Sequence, residues 1–236
     1  MLVLAGRPIP DALDHVRRYV GLSWSGGGPE VWAYRYYDAV PTGPGHAPSE
    51  IDVLAAGALH PGLTRENLEY FITRRDSLVD IPAHLPDGVD LGEEHDRASV
   101  VAMIPRLTDS RANLALVSKV LHRKRPRLIP LFDRALVDWY RPVTGVRGES
   151  AWEPLLGALR ADLGQEQNRE ALAGIADDLA RAGIAGPIPS RLRLADIAIW
   201  MAGRDPRPAT DTAVVKGGIR PEESFFDDWG IDEDSW

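Results

Sequence analysis

Apolar residues recur every three to four positions through most of this chain, and the long alternating patterns typical of β-strands are missing. Such a period places the apolar side chains on one face of a helix, and that face must be buried against other helices. Hydrophobic residues make up 44% of the 236 residues, which is enough for a core of ordinary size. We therefore predict an all-α fold, a single compact multi-helix domain over residues 1–220.

Capping residues and glycines set the boundaries of the predicted helices. Ser49 and Thr64 are good N-caps, Ser150 begins an S-x-x-E capping box, and Gly183 is a typical C-terminal stop. The last helix, Ser190–Ala202, is apolar on nearly every face, so we expect it to be central. The predicted helices cover residues 11–20, 50–59, 65–75, 93–107, 111–125, 133–141, 150–163, 166–182 and 190–202, with a long connection over 76–92.

The net charge of −8 is divided unevenly along the chain. Residues 221–236 hold seven acidic residues and no Lys or Arg, so residues 1–220 sum to only −1. We treat residues 221–236 as an acidic C-terminal tail. Because the tail also contains Phe225, Phe226, Trp229 and Trp236, we expect it to dock on its own domain or on a protein partner.

Several classes of protein are excluded or disfavoured by composition. The chain has no cysteine, which rules out disulfides, thiolate catalysis and Cys-based zinc sites. Its six histidines never occur at H-x-x-x-H or H-E-x-x-H spacing, and we predict no metal and no cofactor. No apolar run approaches the ~20 residues of a membrane helix, and the opening MLVLAGRPIP lacks the basic region of a signal peptide. We expect a cytoplasmic protein without membrane contact.

A basic segment over residues 119–134 carries a net charge of +5. Pro126 ends its helix, Pro130 restricts the entry to the next helix, and Asp133 occupies a favourable N-cap position. We predict that a nucleic acid contacts the basic side chains of this segment through its phosphates. These side chains are Arg123, Lys124, Arg125, Arg127 and Arg134. Two alternatives remain: cations are favoured at a helix C-terminus without any ligand, and intramolecular ion pairs could hold the whole cluster.

The same segment resembles the helix-hairpin-helix DNA glycosylase superfamily. The resemblance lies in Lys119 on a helix, a short link that contains proline, and the sequence Ile129-Pro130-Leu131-Phe132-Asp133 before the next helix. It implies that Lys119 is an amine nucleophile and that Asp133 assists cleavage of an N-glycosidic bond in DNA. From the residues alone, Asp133 could equally be an N-cap, and Lys119 could be a lysine that pairs with a carboxylate.

A wider resemblance is to a family of uncharacterised bacterial proteins, a domain of unknown function. It is carried by Glu50–Leu59, Lys119–Asp133 and Ser190–Met201, and it implies no activity. Asp196 lies within the most apolar helix, where an unpaired charge would be costly, so we expect an arginine to pair with it. The leading hypothesis is a DNA-associated protein with altered or degenerate glycosylase chemistry. The alternative is a non-catalytic module that binds a nucleic acid or a protein.

Overall fold

The structure is a computed structural model that describes residues 1–22, 29–60, 62–93 and 98–204. The predicted all-α class is confirmed, because helices dominate the described part of the chain. The predicted acidic tail lies outside the described residues. The helices found are α1 Ala12–Tyr19, α2 Pro29–Ala33, α3 Glu50–Ala56, α4 Arg65–Thr73, α5 Arg75–His84, α6 Ala98–Val101, α7 Leu114–Lys124, α8 Arg134–Thr144, α9 Trp152–Gly164, α10 Glu166–Ala182 and α11 Arg191–Arg204.

Two short strands at the N-terminus form a β-hairpin that the sequence analysis did not predict. Strand β1 (Leu2–Leu4) pairs antiparallel with β2 (Arg7–Ile9). The two turn residues, Ala5 and Gly6, have φ of 54° and 68°, the left-handed values that a tight hairpin needs. Strands of three residues are too short for an alternating pattern to be recognised in the sequence, since a period of two is then sampled barely once.

The hairpin is fastened to the distant junction between α9 and α10. The backbone N–H of Val3 donates to Asn168 Oδ1 at 2.9 Å, and that of Ala5 donates to Asp162 Oδ2 at 2.6 Å. Leu2 and Leu4 are almost completely buried. The N-terminus is thus part of the core, and it fixes the position of Arg7 in β2.

Helix α11 is central, as its apolar composition predicted. It packs against α1, α8 and α10, and nine of its fourteen residues are buried. Helix α7 packs against α3 and is also buried on most of its surface. Each fully buried Leu or Ile in these two helices contributes roughly 1.5–3 kcal/mol of hydrophobic free energy. Together α7 and α11 form the frame on which the candidate site is built.

Most predicted helices are found within a few residues of their expected ends. Helix α10 ends at Gly183, whose φ of 67° is the left-handed value expected there. The prediction of one helix over 93–107 was wrong: α6 is followed by a 3-10 turn, Ile104–Leu107, in which Pro105 lacks an amide donor for an α-helix. The Ser150 capping box was also wrong, since Ser150 lies in a 3-10 turn, Gly148–Ala151, before α9.

The predicted long connection over 76–92 was wrong for its first half. Helix α5 spans ten residues, Arg75–His84, and contains Pro82. The proline is tolerated near the end of the helix, where it removes only one of the last backbone hydrogen bonds. Among the described helices, none is long and apolar enough to cross a membrane.

Candidate active site

A cavity of about 570 Å³ lies between the N-terminal hairpin, α7, the start of α8 and α11. Its volume is in the range of small-molecule sites. The wall combines aromatic, cationic and carboxylate side chains from regions far apart in the sequence. Within the described ranges, no three His, Asp or Glu side chains form a metal-binding group.

Lys119 is the one lysine that reaches this cavity among the described residues. It lies on α7 and is only 5% exposed, although its Nζ has no hydrogen bond or ion pair within the described part of the chain. Its carbonyl accepts a hydrogen bond from the Tyr37 hydroxyl at 2.7 Å, which holds this turn of α7 in place. Burial lowers the pKa of Lys119, while the carboxylates of Asp133 and Asp196 act in the opposite direction. A larger fraction of the Lys119 amine is thus in the neutral, nucleophilic form than in a free lysine.

Asp133 lines the same cavity as Lys119. It is the N-cap of α8, and its Oδ1 accepts a hydrogen bond from the Leu136 N–H at 2.8 Å. Its Oδ2 has no hydrogen-bond partner in the described residues. The expected N-cap is therefore confirmed, and one carboxylate oxygen remains available to a ligand. The structure places the two predicted catalytic side chains in one compartment.

Arg193 forms the buried floor of the cavity. It donates to Asp38 from Nε (2.8 Å) and from Nη2 (3.0 Å), and it also contacts Asp196 and the Tyr19 hydroxyl. The predicted arginine partner of Asp196 is thus confirmed. Burial raises the pKa of Asp196 despite the opposing charge of Arg193, and the nearby carboxylates of Asp133 and Asp38 act in the same direction as burial.

His60 is a further titratable residue in the cavity wall, and the sequence analysis did not identify it. Burial, together with the charge of Lys119, lowers its pKa to about 4. Its imidazole is consequently neutral at physiological pH, and one ring nitrogen is a hydrogen-bond acceptor. His60, Arg193 and Arg7 come from three separate parts of the chain, and no local sequence pattern indicates that they meet.

Two arginine–tryptophan stacks flank the cavity. The guanidinium of Arg7 lies 4.0 Å from the ring centre of Trp139, and that of Arg204 lies 3.9 Å from the ring centre of Trp200. All four residues line the cavity. Arg134, also in the wall, is 76% exposed and pairs with Asp138 at 3.5 Å. Aromatic and cationic side chains therefore both line the site.

Arg123 and Lys124, two of the predicted nucleic-acid contacts, are buried and form the intramolecular ion pairs that the sequence analysis left open. Their side chains are only 4% and 1% exposed, and both bind the fully buried carboxylate of Asp52, at 3.1 and 2.7 Å. Arg123 also donates to the Val40 carbonyl, and Lys124 donates to the Gly43 carbonyl. A phosphate could reach either side chain only after these buried bonds had broken. Their role in the structure is to fasten α7 to α3 and to the loop before it.

The remaining three basic residues differ in exposure. Arg125 is buried, and it donates to the Leu85 carbonyl and contacts His46. The Arg127 side chain is 52% exposed but donates to the Gly88 carbonyl. Of the five predicted phosphate contacts, only Arg127 and Arg134 are solvent-facing, and only Arg134 lines the cavity.

The loop before α7 contains a carboxylate that accepts hydrogen bonds from within the loop itself. Asp109 Oδ1 accepts from the Arg111 N–H at 2.8 Å, and Asp109 Oδ2 accepts from the Arg111 guanidinium at 2.8 Å. The Arg111 amide is therefore already hydrogen-bonded within its own loop.

Comparison with known proteins gives a family and no activity. The model described as "Family of unknown function (DUF6308)" matches residues 12–203. No curated protein and no solved structure matches the chain. Nothing in these comparisons points to helix-hairpin-helix glycosylases.

Proposed function

The chain belongs to the family of unknown function DUF6308, and we propose from its cavity that it is an enzyme whose nucleophile is the amine of Lys119. One observation carries the proposal: a lysine that is 95% buried, without a partner for Nζ in the described residues, faces the same cavity as Asp133. Burying an amine is costly unless something compensates, and structural lysines are normally paired. A ligand in the cavity would provide that partner.

The chemistry best suited to this pair is attack on the anomeric carbon of a sugar. The Lys119 nitrogen bonds to C1′ as the bond from C1′ to the base breaks, and the base leaves with the electron pair and takes up a proton. The free oxygen of Asp133 lies in the same wall and would stabilise positive charge on the sugar. Loss of a proton from the lysine nitrogen and opening of the sugar ring give a protonated imine, which water hydrolyses to restore the amine.

The more specific form of the proposal is that the substrate is DNA. It is supported by the resemblance of the Lys119–Asp133 segment and by the exposed Arg134 at the cavity. A second candidate is a non-catalytic binding module. Its support is the N-cap bond from Leu136 to Asp133, which accounts for this aspartate without any reaction.

Reductive trapping would separate the two candidates. A labelled duplex with an abasic site, which carries an aldehyde, is incubated with the protein and cyanoborohydride, and covalent adducts are mapped by mass spectrometry. The chain has only three lysines, Lys119, Lys124 and Lys216, so the site of attachment can be assigned without ambiguity. We expect an adduct on Lys119, its loss in Lys119→Met, and no change in the control Lys216→Arg.

Asp133→Asn tests the carboxylate without removing the helix cap, since Asn caps helices as well as Asp does. We expect an unfolding free energy close to that of the wild type and trapping about a hundredfold slower, the lower end of the range for a positioned acid or base. An adduct that persists in Lys119→Met would refute the proposed nucleophile. Duplex binding without any adduct would favour the non-catalytic module.

A further inference from the structure

We infer that Arg7 and Arg134 form a subsite at the cavity that binds a phosphate ester carried by the ligand. The ligand class is a phosphorylated sugar, whether free or within a nucleic acid strand. The phosphate subsite stands on the geometry of the two arginines, and the sugar part of the ligand rests on the proposed function. Neither the basic segment nor the resemblance pointed to Arg7.

Arg7 is held at the cavity wall by a rigid support. Trp139 donates from its indole N–H to the Leu4 carbonyl at 3.0 Å, which fixes the ring against the hairpin. The Arg7 guanidinium lies over this ring at 4.0 Å. A stacked guanidinium keeps the N–H groups along its edge free to donate to a planar or tetrahedral oxyanion. No carboxylate in the described residues forms an ion pair with Arg7.

Arg134 supplies the second cation from the first residue of α8. Its only ion pair in the described part of the chain is with Asp138 at 3.5 Å, and both side chains are at least half exposed. A surface pair of this kind contributes little to stability. A phosphate at the wall can therefore recruit Arg134 at little cost, because Asp138 remains solvated.

The charge of the whole wall favours an anion. Five cationic side chains line the cavity, against three carboxylates. Asp38, which binds Arg193 from outside the wall, reduces the excess of two positive charges to one. The cationic side chains are Arg7, Lys119, Arg134, Arg193 and Arg204, and the carboxylates are Asp133, Asp138 and Asp196. Since Arg193 is already bonded to carboxylates and Arg134 pairs with Asp138, Arg7 is the wall arginine best placed to bind an added anion.

Glycerol 3-phosphate is the first probe, because it carries a phosphate monoester and no aldehyde. Binding is measured by calorimetry for the wild type and for Arg7→Gln/Arg134→Gln. We expect the double variant to raise Kd by about tenfold or more, the effect of losing charge-assisted hydrogen bonds. The matched control is Arg141→Gln, which removes another partner of Asp138 on α8 that does not line the cavity. Its Kd should stay within about twofold of the wild type.

A second arm identifies the source of the phosphate. Trapping by cyanoborohydride is compared for glyceraldehyde 3-phosphate, unphosphorylated glyceraldehyde and the abasic duplex. If the phosphate raises trapping on Lys119 and the double variant abolishes that gain, a free sugar phosphate is a ligand of the subsite. If only duplex trapping depends on Arg7 and Arg134, the phosphate is that of the strand.

The proposal of the phosphate subsite and the proposal of the Lys119 nucleophile can be refuted independently of each other. Glycerol 3-phosphate bound through Arg7 and Arg134, with no imine on Lys119, would retain the subsite and remove the proposed function. The subsite is overturned if neither probe distinguishes the double variant from the wild type, or if Arg141→Gln weakens binding as strongly.

Discussion

Replacing Asp52 with asparagine tests whether the buried cations of the basic segment fasten α7 to α3. We call this arrangement the internal clamp. The carboxylate is fully buried and binds two cations, Arg123 and Lys124, on α7. It also accepts from the Thr42 hydroxyl at 2.8 Å and from Ser49, through its N–H at 2.9 Å and its hydroxyl at 2.6 Å. Although burial alone would raise the pKa of Asp52, these hydrogen bonds hold it well below its ordinary value.

The expected cost of Asp52→Asn follows from the charges left behind. Asparagine keeps the size of the side chain, but two buried cations lose their counter-charge. Breaking a buried ion pair on one side costs about 3–5 kcal/mol, because the remaining charge stays desolvated. A domain of this size has roughly 5–15 kcal/mol of stability in total, so the variant should lose a large fraction of it.

Urea unfolding followed by circular dichroism measures this loss. The control is Asp109→Asn, which breaks an ion pair with Arg111 at a more exposed position and should cost far less than Asp52→Asn. In Asp52→Asn/Arg123→Met/Lys124→Met, where no buried charge remains unpaired, we expect part of the stability to return. A loss below about 1 kcal/mol in Asp52→Asn would refute the clamp, because it would mean that Arg123 and Lys124 find solvent at no cost.

Two further predictions concern α7. Asn113→Ala removes the N-cap bond that Asn113 Oδ1 accepts from the Leu116 N–H at 3.0 Å, and urea unfolding should show a loss of about 1 kcal/mol; no loss would mean that water replaces the cap. Burial, with the charge of Arg193, lowers the pKa of His122 to about 4 in the folded state. Because the unfolded chain takes up this proton first, stability should fall by about 3 kcal/mol between pH 7 and pH 4. His122→Asn should lose this part of the pH dependence, and parallel curves for both proteins would contradict the assignment.

The local signals in the sequence predicted those features that depend on neighbours along the chain. Helix α10 and its glycine stop, the central α11 and the caps at Thr64 and Asp133 all follow from spacing and capping chemistry. Asp196 was expected to pair with an arginine because an apolar helix cannot tolerate a lone charge, and the partner is Arg193, three residues away.

The cluster of basic residues shows what local sequence signals cannot predict. A run of cations in sequence predicts a basic surface only if no distant carboxylate is folded against it. Asp52 lies 71 residues before Arg123, so nothing local indicates that it neutralises the run. The cavity has the same origin, since Arg7, His60 and Arg193 meet only through the tertiary packing. Lys119 and Asp133 were found because the resemblance, and not a periodicity, singled them out.

The order in which the chain leaves the ribosome matters for this cavity. Arg193 bonds to Tyr19, 174 residues earlier, and to Asp38, 155 residues earlier. The hairpin that presents Arg7 is likewise fastened to Asn168, 165 residues beyond Val3. Contacts this far apart form late, because the loop that they close is long. During synthesis, Tyr19 and Asp38 therefore remain without their guanidinium partner until α11 has emerged, and a nascent chain has no complete cavity in which Lys119 could react.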